Sequence, residues 1–193
     1  MTVQEVHELY DHPFSEKNLS NIRDLFVFIC LTGLRWEDVR QFDARFIFPS
    51  ADGAGKVYKK KAYKTRSSSG KTFEIPLCDI ALEILKKHGG SLKPLMVSNV
   101  EANRRVKDAL EETGRFHTIT EIKDKHTGEY LRRFEAVTMH KGRDSFISNL
   151  VDITPLNELM KYTAHSKLST LQGYLDRNRP VSMNYITKTF NRH

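Results

Sequence analysis

The stretch LFVFICLTGLRWEDV, residues 25–39, decides how this chain folds. Leu19, Ile22, Phe26 and Ile29 recur at three- and four-residue steps, the spacing of one helix face. The run LFVFICL is apolar nearly all round, which marks a helix inside a core rather than one lying on its surface. Asn18 or Ser20 supplies a capping group for its start. Thr32-Gly33 stops it, because glycine accepts the left-handed turn that ends helices. Arg35 follows directly, with Asp38 three residues on in a short helix predicted over residues 36–41. Taken alone, Arg35 and Asp38 read as a surface ion pair.

Outward from this helix the pattern alternates between helix and hairpin. ARFIFPS (residues 44–50) reads as a strand. VYKKKAY and KTFEIPL alternate as strands do and predict a small antiparallel sheet. Helices are predicted over residues 78–88, 99–113, 138–150, 155–162 and 167–176, with Thr154-Pro155 as the start signal for the fourth. Residues 117–138 read as a hairpin turning at His126-Thr127-Gly128. Residues 1–18, polar and carrying Pro13, read as a lead-in or linker. Residues 181–193 read as a loosely attached tail helix whose Met183, Tyr185, Ile186 and Phe190 form an apolar stripe. The expected class is α+β, mainly α, with a small antiparallel sheet or β-hairpin at its edge, built as one domain over residues 19–180.

Composition sets the broad class. A chain of 193 residues, 39% hydrophobic with 11 Phe, can build a core. Its formal charge of +7 suits a polyanionic partner. Cys30 and Cys78 lie in apolar surroundings and read as buried free thiols. No apolar run approaches the ~18 residues of a membrane span, and the N-terminus has no signal-peptide core. A cytoplasmic protein without a membrane partner is the expectation.

Four stretches carry candidate chemistry. TGLRWED holds Arg35. KVYKKKAYKTRSSSGK, residues 56–71, holds seven cations and no acid, with Ser and Tyr interleaved. Charge runs are commonly just solvated hairpins, yet this mixture also suits phosphate contact, through Lys59, Lys60, Lys61, Arg66 and Lys71. HKGRDSFISNL places His140 and Arg143 on one helix face, beside Lys141. AHSKLSTLQGYL sets Tyr174 nine residues after His165; by itself Tyr174 reads as a packing residue. Two other motifs fail. Ser69-Gly70-Lys71-Thr72 lacks the glycine a P-loop needs five places before Gly70, where Thr65 stands, and it runs into a strand. The eight histidines form no metal-binding signature.

In this order, the four stretches resemble the catalytic domain of the tyrosine recombinases, the phage-integrase family. The matches are an arginine after T-G-L with an acid three on (TGLRWED), a hairpin lysine before a strand ending I-P-L (KTRSSSGKTFEIPL), H-x-x-R opening a helix (HKGRDSFISNL), and a histidine followed nine residues on by Y-L (AHSKLSTLQGYL). ITPLNELMKYTAH is similar to the family's approach to that histidine. The resemblance spans roughly residues 19–175, and its hairpin is most similar to integrases of conjugative and mobilisable transposons. The family has glycine where this chain has Ala164, and the interval from Lys64 to Pro76 is about four residues longer than the family pattern. The helical domain that normally precedes the catalytic one has no counterpart, so the chain reads as a catalytic fragment or a reduced member.

The resemblance implies cleavage and rejoining of double-stranded DNA without a metal or other cofactor. Arg35, Arg143 and His165 would hold the phosphate, Tyr174 would be the nucleophile and His140 its proton acceptor. Lys64, with Lys71 as the alternative, would protonate the leaving oxygen, and Asp38 would support a site arginine. It also implies a homo-tetramer on DNA in the full protein, a monomer alone, accessory DNA-bending proteins, and a tail helix that packs on a neighbouring protomer or on its own domain. Type IB topoisomerase-like relaxation and a non-catalytic DNA-binding module are the alternatives.

Overall fold

The computed structural model describes residues 1–61, 72–165 and 168–175. Its axis is α2 (Lys17–Thr32), in which Leu25, Phe26, Val27, Phe28 and Ile29 are all at most 1% exposed. Consecutive buried residues leave no solvent face, so other elements must surround the helix. They are α1 (Val3–Asp11), α4 (Asp79–Lys87), α5 (Asn99–Glu112) and α6 (Met139–Leu150). The stop comes where expected: Gly33 takes a left-handed φ of 64° and its N–H donates to Ile29 O at 2.8 Å.

A three-stranded antiparallel sheet packs on this bundle, in the order β1 (Ile47–Pro49), β2 (Lys56–Lys61), β3 (Thr72–Leu77). β3 alternates strictly, burying Phe73, Ile75 and Leu77. Phe42 links sheet to axis, stacked on Tyr58 at 4.5 Å and edge-on to Phe28 at 5.2 Å. The predicted hairpin is present as β4 (Ile119–Lys123) and β5 (Tyr130–Arg132), with Gly128 at φ 74° in its turn. After α3 (Trp36–Arg40), residues Ala44–Phe46 form a 3-10 turn, so the strand predicted from residue 44 begins at Ile47. A second small core of Phe146, Ile147, Val151, Leu159 and Leu171 joins α6, α7 (Leu156–Thr163) and α8 (Leu168–Leu175). The mainly α class with a small antiparallel sheet is thus the observed one. Among the described residues no helix is long and apolar enough to cross a membrane.

Three expectations need correction. Residues 1–18 are not merely a linker. α1 starts with a capping box between Thr2 and Glu5 and buries Val6 and Leu9 in the main core. Glu5 pairs with Arg133 at 2.7 Å and Glu8 with Arg115 at 2.5 Å, which ties α1 to the segments flanking the β4–β5 hairpin. Cys30 is buried, and burial pushes its thiol up to about 12. Cys78 is exposed, since it is the N-cap residue of α4, where the strand's inward alternation has ended. Pro155 rather than Thr154 occupies the N-cap of α7. The predicted tail over residues 181–193 lies outside the described residues.

One polar cluster sits inside this architecture. Asp24, fully buried on α2, accepts from Arg23 Nε at 2.7 Å, Lys87 Nζ at 2.8 Å and His88 Nε2 at 2.7 Å. Arg23 continues to the carbonyls of Leu9, Tyr10 and His12, satisfying the end of α1. Burial pushes the Asp24 carboxyl up, but the hydrogen bonds from Lys87 and His88 outweigh it, and its pKa is lowered. A lowered carboxylate pKa contributes stability above the ordinary carboxylate range, lost as pH falls through the lowered value. Asp24→Asn is expected to cost about 1–3 kcal/mol, the usual penalty for leaving buried donors poorly paired. Urea melts at pH 7 and pH 3 check it: the difference between variant and wild type should shrink at the lower pH.

Candidate active site

Arg35 is placed by the end of α2. The left-handed turn at Gly33 redirects the chain, and Arg35 becomes the extended N-cap residue of α3 at φ −74°, ψ 156°. Its Nη1 is buried and has no hydrogen-bond partner among the described residues. Asp38 Oδ2, one helical turn away, stands 3.9 Å from that nitrogen, an ion pair too long to satisfy its hydrogens. Asp38 thus supports Arg35 electrostatically without saturating it.

Arg143 comes from α6 and is 2% exposed. Its Nη1 donates to Gly33 O, and its Nη2 to Thr163 O at 2.7 Å. One guanidinium therefore ties the end of α2 to the end of α7. Nη2 also lies 3.1 Å from His165 Nε2. Arg143 makes no ion pair among the described residues. Burial, and then the neighbouring charge of Arg35, push its pKa down to about 9. It remains a cation at neutral pH, held beside another cation. An anion received by both guanidiniums would reverse that penalty.

His165 follows the end of α7. Ala164 caps that helix in the left-handed region at φ 50°, and is the one residue other than glycine with positive φ among those described. This explains why glycine suits the position, and why alanine, with only a methyl, is the smallest departure. The neighbours of the imidazole fix its tautomer. Arg143 has only donors, so Nε2 must accept. Nδ1 then carries the hydrogen and donates to Thr163 Oγ1 at 2.8 Å, and that hydroxyl passes its own hydrogen to Leu159 O at 2.7 Å. The relay aims the Nε2 lone pair at Arg143.

Tyr174, on α8, packs against the smaller core, and its hydroxyl donates to Asp144 Oδ1 at 2.8 Å. Asp144 lies on α6, next to Arg143 and four residues after His140. His140 Nε2 is 3.7 Å from the same oxygen, and Lys141 Nζ is 3.2 Å from Oδ2. The imidazole of His140 therefore stands across one carboxylate from the Tyr174 hydroxyl. The start of α6 is anchored by Asn103 of α5, whose Oδ1 accepts from Met139 N–H at 2.8 Å.

Arg35, Arg143 and His165 thus converge, with His140 and Tyr174 gathered around Asp144 on the same helix as Arg143. Lys64, Arg66 and Lys71 lie outside the described residues. Of the other cations expected at phosphate, Lys59 pairs with Glu74 at 3.8 Å, and Lys141 pairs with Asp144. Lys60 donates to Gln41 O and lies 5.3 Å from the Phe46 ring centre, while Lys61 is exposed at the end of β2. Sequence reasoning missed Asp144 and Thr163. The four-residue step from His140 to Asp144 was visible, but nothing local shows that Tyr174 arrives from another helix.

No protein-family model and no curated protein matches this chain. Solved structures do. The Tn1549 transposon integrase, in complex with transposon right-end DNA, superposes with a TM-score of 0.67 at 10% identity, covering 100% of this chain and 66% of that one. The XerH site-specific recombinase bound to its difH substrate gives 0.61 at 12% identity, covering 100% and 53%. The XerA recombinase gives 0.59 at 15% identity, covering 100% and 66%. This chain spans between about half and two-thirds of the length of these proteins. At such identities the likeness establishes the fold, which is that of the tyrosine recombinase catalytic domain.

Proposed function

From this shared fold we propose that the chain is the catalytic domain of a site-specific DNA recombinase that cuts and rejoins double-stranded DNA through Tyr174. The observation that carries the reading is the pair of arginines. Among the described residues, Arg35 keeps a buried donor without a hydrogen-bond partner, and Arg143 is buried beside it with no ion pair. Packing two cations together is costly without an anion, and the structural neighbours of the same fold are in complex with DNA, a chain of phosphodiester anions.

In this reading the scissile phosphate is received by Arg35 and Arg143. Their planar forks are suited to gripping two phosphate oxygens and to meeting the charge that grows on them during attack. His165 completes the cradle once its Nε2 carries a proton and turns from acceptor to donor. The Tyr174 oxygen attacks phosphorus as its proton leaves toward His140, and the P–O5′ bond breaks. The products are a 3′-phosphotyrosine and a 5′-hydroxyl, the latter protonated by a lysine from the stretch between β2 and β3, Lys64 or Lys71. Attack by a 5′-hydroxyl on the phosphotyrosine reverses these steps, so joining needs no nucleotide cofactor. Transposon DNA is the substrate class favoured by the Tn1549 likeness, and a tetramer on DNA is the assembly that strand exchange would require.

A covalent trapping experiment tests this. The protein, with any preceding DNA-binding segment included, is incubated with a pool of nicked duplexes of random sequence that lose the leaving strand on cleavage. A protein–DNA adduct should survive denaturing electrophoresis, and its tryptic phosphotyrosine should map to the peptide containing Tyr174. An adduct mapped to another residue, or none from any duplex, would overturn the reading.

A further inference from the structure

We propose that Asp144 is a positioning residue that holds the Tyr174 hydroxyl in a protonated waiting state, which must be left before Tyr174 can attack. The inference rests on the proposed function for its meaning, but its first observation is independent of DNA. The Tyr174 hydroxyl donates to Asp144 Oδ1 at 2.8 Å. A carboxylate that accepts from a phenol favours the neutral phenol, and a phenolate in the same place would face a like charge. Nucleophilic attack needs the opposite, so this contact must be exchanged before Tyr174 reacts.

The surroundings explain how the exchange can occur. The groove that Tyr174 lines is also lined by Lys141, Asp144 and Arg133, and Asp144 is the one carboxylate among these lining residues. Lys141 holds Oδ2 at 3.2 Å, so Asp144 stays in place when the tyrosine leaves. His140 Nε2 already waits 3.7 Å from the oxygen that Tyr174 occupies. A His140 that has gained the phenol proton would be a cation and could take that oxygen itself. Asp144 would then change partners, from the neutral phenol to the imidazolium. Direct transfer of the phenol proton to Asp144 is disfavoured, because ordinary phenol and carboxyl groups differ by about 6 pKa units.

The test uses Asp144→Ala and Asp144→Asn, the second keeping the size of the side chain while removing its charge. Two rates are measured. One is acetylation of Tyr174 by N-acetylimidazole in DNA-free protein, mapped by peptide mass spectrometry, with the other tyrosines as internal references. The other is adduct formation on the nicked duplexes recovered with the wild type. Holding by Asp144 predicts that Asp144→Ala raises acetylation of Tyr174 by about tenfold, as expected for loss of a hydrogen bond to a charged group, and that Asp144→Asn raises it by less. Adduct formation changes by less than acetylation, because the same substitution removes the carboxylate that would receive the imidazolium. Unchanged acetylation of Tyr174 in both variants overturns the proposal. So does a fall in adduct rate of a hundredfold, which would make Asp144 the proton acceptor. If no protein, wild type included, forms an adduct, the proposed function fails, while the acetylation rates still decide whether Asp144 restrains Tyr174.

Discussion

Arg143→Ala is expected to lower adduct formation by on the order of 10³-fold or more and to destabilise the domain at the same time. The loss of rate follows from removing a preorganised cationic fork, since even one donor to a developing oxyanion is worth about 10²–10³. The loss of stability follows from the same nitrogens. Arg143 satisfies Gly33 O and Thr163 O, and each buried carbonyl left without a donor costs about 1–3 kcal/mol. Arg143→Lys separates the two effects. An ammonium keeps the charge but cannot span Gly33 O, Thr163 O and His165 Nε2 together. It should keep more of the stability yet still cleave about 100-fold more slowly. Denaturant melts and single-turnover cleavage, run on both variants, check this. A lysine variant that cleaves at the wild-type rate would show that the fork geometry is irrelevant.

Gly33→Ala is expected to be the most damaging change of a single methyl group. Gly33 has φ +64°, where a Cβ costs about 1–2 kcal/mol. The new methyl would also run into the Phe146 ring, with Cε1 2.9 Å away and Cδ1 nearer still. The ring belongs to α6, and its displacement would disturb the smaller core, adding an overpacking cost of about 1–3 kcal/mol. The sum, roughly 2–5 kcal/mol, is a large part of the stability of an ordinary domain. Thermal and urea unfolding measure it directly. Because Gly33 O is also an acceptor for Arg143, the part of the variant that remains folded should cleave slowly too.

The legible parts of this protein were those whose cause is local. α2 was readable because its apolar run is long, and its end because Gly33 must take a left-handed turn. The β4–β5 hairpin was readable because Gly128 sits between alternating segments. α1 reads as a lead-in because Val6 and Leu9 are its two buried residues, although Thr2 and Glu5 spell its capping box. Cys78 reads as buried because its sequence neighbours are apolar, while its exposure depends on where β3 gives way to α4. The site divides in the same way. Arg35, Arg143, His165 and Tyr174 were picked out by type and order. The carbonyls that grip Arg143, the hydroxyl that orients His165 and the carboxylate that receives Tyr174 are separated from their partners by the chain's path. No periodicity records such pairs.

Gly142 gives this arrangement its scale. A Cβ there would lie 2.9 Å from Ile29 Cγ2 and 3.3 Å from Cys30 Sγ, so α6 rests almost backbone-first on α2. Arg35 departs from the end of one helix and Arg143 from the side of the other. The thickness of this contact therefore acts as a gauge block for the gap between the two guanidiniums. In the proposed function that gap receives a phosphate of fixed size, and a mismatch near 1 Å would cost about 10² in rate. Fitness at residues 29, 30 and 142, which carry no charge, should therefore follow side-chain volume as sharply as fitness at the arginines follows chemistry.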